Sequence, residues 1–91
     1  MDSGAEVLQG VFVLGAAVEE DVLHVDLYGS TSNICGNVRF TFPEAAERRQ
    51  MLDLLHRWAA DAVPVTFVRT STSVALQYHG ADRDDQVEAA P

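Results

Sequence analysis

The chain has 91 residues, 47% of them hydrophobic, and carries a formal charge of −8 at pH 7. That length sets a single domain with an adequate but not generous core, and that apolar share excludes a disordered chain. Its 6 basic residues are all arginine and form no stripe, which excludes phosphate-driven binding of nucleic acid and disfavours an anionic membrane surface.

No apolar run approaches the roughly 20 residues of a membrane span. The first residues carry Asp2 and Glu6 where a secretory signal would carry bases, so a cytoplasmic location is expected. A single cysteine cannot close an internal disulfide, and dispersed histidines give no zinc pattern, so no cofactor and no metal are expected. The absence of lysine beside frequent Ala, Val and Asp suggests a GC-rich coding bias and a bacterial source.

Residues 1–5 read as a loose terminus. From Leu8 to Val18 the chain is apolar at both parities, the pattern of a strand buried on both faces, with Gly10 and Gly15 as bulge points. Glu19-Glu20-Asp21 then makes an acidic turn. Val22 to Gly29 alternates, with Leu23, Val25 and Leu27 on one face and His24, Asp26 and Tyr28 on the other. Gly29 to Gly36 reads as a long polar loop, and the following strand points Val38, Phe40 and Phe42 inward and Arg39 and Thr41 outward.

The period then changes. Thr41-Phe42-Pro43-Glu44 matches a capping box, and Pro43 is harmless in a first helical turn. From Glu44 to Ala62 a helix is predicted, its apolar face made by Ala45, Leu52, Leu55, Ala59 and Ala62 and flanked by Met51 and Trp58. Glu44–Arg48 and Asp53–Arg57 are favourable i,i+4 pairs on its polar side. After Pro64 come two strands, with Val65 and Phe67, then Val74, Leu76 and Tyr78, on one face. The turn between them, Arg69 to Ser73, lacks Gly, Asn and Pro, so its type is not set. Residues 81–91 are charged and alanine-rich and read as an acidic, disordered tail beyond a folded domain of residues 1–80.

The fold class is therefore α+β, an antiparallel sheet of about five strands in the order β-β-β-α-β-β with one amphipathic helix across one face. A single helix covers one face only. A homodimer, a ligand or curling of the sheet must then cover the other, and a homodimer is the expected solution.

Candidate chemistry gathers around YGSTSNICGNVRF. No helix follows Cys35 to lower its pKa or to hold an anion, and no lysine assists, so Cys35 reads as a small hydrophobe and the stretch as a hairpin connection. Its length still favours contact with a partner. Binding is assigned to His24, Asp26 and Tyr28 on the strand and to Ser30, Thr31 and Asn33 in the loop; no catalytic residue is assigned. His24, Asp26 and His79 meet at a metal only if the second and last strands are neighbours.

The function expected is a small non-enzymatic protein-binding or regulatory module that uses a sheet face or an open strand edge. The weakly charged run VTFVRTSTSV is the proposed edge. One alternative is a ligand-binding protein or enzyme with a helix–sheet pocket around His24 and Asp26; another is an acidic decoy of nucleic acid.

Overall fold

A computed structural model describes residues 5–29 and 34–90, except for the side chains of Ile34 and Cys35. The elements run β1 (Glu6–Glu19), β2 (Val22–Gly29), β3 (Ile34–Thr41), α1 (Ala45–Asp61), β4 (Val65–Arg69), β5 (Val74–His79) and β6 (Asp84–Ala89). The strands make one antiparallel sheet in the order β3-β2-β1-β4-β5-β6. The α+β class is as the sequence predicts, with a sixth strand in addition.

That sixth strand lies within the segment read as a disordered tail. Asp84 to Ala89 pairs along β5 in full register, and Val87 is completely buried opposite Leu76. Periodicity failed because β6 buries only this one apolar side chain, so its alternation is hidden among acids. Its far end also curls the sheet: Thr41 N–H donates to Ala90 C=O at 3.4 Å, joining the two outermost strands at one corner.

Curling divides the sheet into a concave and a convex face. Val11, Val13, Leu23, Val25, Val38, Phe40, Val65, Phe67, Val74, Leu76 and Val87 form one buried cluster with Phe42 and the helix. Among the described residues no polar side chain is buried. Curvature is thus the device by which one helix suffices.

β1 is not buried on both faces, as its composition suggested. Its concave parity is buried, whereas Val7 and Leu14 are 55% and 60% exposed. Both expected bulges are present, because the register slips between Leu8 and Val11 toward β4 and between Val13 and Gly15 toward β2. Each slip inserts a residue, so Leu8 and Val11, and likewise Val13 and Ala16, lie on one face despite being three apart. Leu14 is the residue expelled by the second slip. Gly10 takes φ +70, which suits glycine at the first.

α1 presents Leu54, Leu55 and Trp58 as its buried residues, with Met51 half-buried above them. This i, i+3, i+4, i+7 stripe displaces the one predicted, since Ala45 and Ala62 are exposed and Trp58 lies at the centre, 6.5 Å from the Tyr78 ring. Large side chains set the face; alanines follow it. The capping box does not form. Glu44 is the N-cap without a side-chain bond, and Thr41 is held in β3. Arg48 reaches back instead, donating from Nη1 to Phe42 C=O at 2.6 Å, and among the described residues neither Glu44–Arg48 nor Asp53–Arg57 forms an ion pair. None of the helices described is long and apolar enough to cross a membrane.

Candidate functional site

α1 lies against β1 and touches β2, filling one end of the concave face. The other end is open. There Leu8, Val11, Leu27, Val38 and Phe67 line a concavity of about 790 Å³ to which no helix residue contributes. The bulge at Gly10 is what turns Leu8 into it. Gly29 and Gly36 form part of the wall and leave the mouth wide, because a glycine adds no side chain. A Cβ built at Gly36 would meet nothing within 4 Å.

At the rim Glu6 and Arg69 stand opposite each other across β1 and β4. Their Oε1 and Nε atoms are 3.9 Å apart, and Arg69 keeps 57% of its side chain exposed. The guanidinium sits 5.3 Å from the Phe67 ring centroid, within range of a cation–π contact. An exposed pair of this kind contributes little to stability and releases easily. The mouth therefore offers apolar walls with an exposed donor fork at its edge.

The residues singled out from sequence lie elsewhere. His24, Asp26 and Tyr28 occupy the convex face, as alternation with fully buried Leu23 and Val25 requires. His24 Nε2 is 3.4 Å from Glu19 Oε1, Asp26 Oδ1 accepts from Asn37 Nδ2 at 2.9 Å, and Tyr28 stands opposite Phe12. The structure aligns these three along β2 but does not converge them on a pocket. Ser30, Thr31 and Asn33 lie outside the described residues. A smaller hollow of about 290 Å³ does exist between helix and sheet, walled by Trp58 and Tyr78 with Arg57, Asp61 and Asp85 at its edge. Neither His24 nor Asp26 lines it.

β2 and β5 are separated by β1 and β4, so the condition for His24, Asp26 and His79 to meet is not satisfied. His79 Nδ1 faces Asp84 Oδ1 at 3.5 Å instead. His56 Nε2 donates to Ala16 C=O at 3.0 Å, fastening the helix to the stretch of β1 that extends past β4. Backbone pairing sets Cys35 inside β3 opposite Tyr28, so part of the stretch read as a loop belongs to the strand.

The proposed edge is also displaced. β4 and β5 are interior strands, and the edges belong to β3 and β6. Sequence reasoning missed the mouth because its lining comes from four strands. The available signal was the trio Gly10, Gly29 and Gly36, the last two standing at the inward parity of Leu27 and Val38. Comparison with family models, with curated proteins and with solved structures finds no match to this chain.

Proposed function

We propose that the protein is a non-enzymatic binding module that holds a partner protein by taking an apolar part of it into the open concave mouth. The observation that carries this reading is the concavity itself, about 790 Å³, floored by buried Val11, Val38 and Phe67 and opened to water at half-buried Leu8 and Leu27. Apolar surface held open to water favours association, because covering it releases that water. Arg69 at the rim then fixes orientation by donating to a carbonyl or carboxylate of the guest. A cytoplasmic setting, where a lone cysteine stays reduced, suits such a module.

The same volume favours a second reading, a small apolar ligand, since pockets for such molecules span roughly 300–1,000 Å³. Affinity capture from the cells of origin separates the two. Wild type should retain a protein that Leu27→Asp, in the mouth, releases and that Thr66→Asp, on the convex face, keeps, with circular dichroism confirming that both variants fold. Identical captures by all three proteins would overturn the proposal. A native mass spectrum showing a small apolar molecule and no protein would favour the second reading instead.

A further inference from the structure

A free strand edge is a template for pairing, and proteins commonly guard it with charge. Here the two edges are treated unequally. β6 carries Asp84, Asp85 and Glu88, whereas β3 carries only Arg39. The backbone of β3 is also open. Phe42 N–H donates to Asp21 C=O, so in antiparallel register Phe40, Val38 and Gly36 exchange bonds with β2, and Arg39 and Asn37 direct theirs away from the sheet. Thr41 N–H follows the same outward parity and ends on Ala90. Among the described residues nothing takes the outward groups of Asn37 and Arg39.

From this we propose that β3 pairs antiparallel with β3 of a second copy about a two-fold axis at Val38. Residues with outward backbone groups must face others of the same kind, so that bonded and non-bonded pairs alternate, which permits three central alignments. Arg39 opposite Arg39 of the second copy sets like charges together. Asn37 opposite itself leaves Arg39 without a counter-charge. The alignment centred on Val38 sets Arg39 opposite Asn37 of the second copy. In each molecule Asn37 already donates to Asp26. The cross-strand row then reads His24, Arg39, Asn37, Asp26, the last two from the second copy, and the two-fold repeats it.

Arg39 is exposed and has no ion pair among the described residues. This alignment brings its guanidinium toward a carboxylate held in place by a hydrogen bond, which is the charge complementarity a two-fold edge requires. Val38 meets its own copy in a pair without backbone bonds, where side chains approach most closely. Because Gly36 places no side chain at the edge, the two concave mouths run into each other across the axis. Pairing needs no occupant in the mouth and stands independently of what fills it.

Sedimentation of the full chain over a concentration series tests the proposal. Wild type should form a dimer. Arg39→Glu should weaken it by about tenfold, since the two-fold repeats each clash, and Asp26→Arg added to Arg39→Glu should restore it. Val38→Cys in a Cys35→Ser background should close a disulfide-linked dimer under mild oxidation. Thermal unfolding of each variant confirms that the monomer folds. A wild-type monomer at all concentrations would overturn the pairing. So would a dimer indifferent to Arg39→Glu and without the Val38→Cys cross-link.

Discussion

At the scale of single residues, two chain reversals are made at residues that composition does not mark as turn formers. Thr70 closes the β4–β5 connection. Its N–H donates to Ser73 C=O at 2.9 Å, and its hydroxyl accepts from Thr72 and Ser73 N–H at 3.3 and 3.1 Å. A hydroxyl thus performs the task usually left to Gly or Asn, which is why this turn could not be typed from sequence. Thr70→Ala should lower stability by about 1 kcal/mol in urea unfolding, and Thr70→Ser should keep most of it. The helix ends by the opposite compromise. Ala62 adopts φ 52 so that Ala62 and Val63 N–H can donate to Ala59 and Trp58 C=O, the geometry of a Schellman cap. A side chain at positive φ costs free energy that glycine avoids, so Ala62→Gly should raise stability by about 0.5–1 kcal/mol. A drop on that substitution would show that Ala62 packs in a way its exposure denies.

At the scale of elements, legibility followed the size of the apolar residues. β2 and β3 were readable because Leu23, Val25, Val38 and Phe40 alternate against polar partners, and all four are buried. The helix was readable in extent, since α1 spans Ala45–Asp61, but its face was misjudged by weighting alanines equally with Leu54 and Trp58. β1 misled because its exposed parity is also apolar. β6 was invisible because Val87 is its only fully buried side chain. The strand nevertheless matters: Val87 packs on Leu76, and Ala90 C=O is the acceptor that joins β6 to β3. Val87→Ala should therefore cost about 2–3 kcal/mol, well beyond what a solvated tail would register. Removal of residues 84–91 should abolish the cooperative transition, because β5 would lose its outer partner and Leu76 its cover. A truncated chain that melts like the full one would return this segment to the status of a tail. Candidate sites fared worse than elements, for a physical reason. A residue's neighbours in sequence revealed that His24, Asp26 and Tyr28 share a face, but which face curls inward depends on strand order, and strand order is not written in periodicity.

At the scale of the whole molecule, the curled sheet has two unlike ends. One is plugged by α1, with Leu55, Leu23 and Phe40 wholly buried and His56 fastening the helix to β1. At the other the walls stand open, and Leu8 and Leu27 are only half-buried. Local opening costs less where few apolar contacts must be broken, so stability should be graded along the strands. In native-state hydrogen exchange, the amides of Leu23, Val25 and Phe40 should exchange only through global unfolding. Those of Leu8 and Phe67, though bonded in the β1–β4 ladder, should exchange through smaller openings at the mouth. β3 adds a finer signature, because Val38 and Phe40 N–H are held by β2 while Asn37 and Arg39 N–H face outward. In dilute protein the outward pair should exchange rapidly, and their protection should grow with concentration as copies pair. Uniform protection along β1 and β4 would mean that the mouth is as rigid as the plugged end, and a binding surface built on its opening would lose its physical basis.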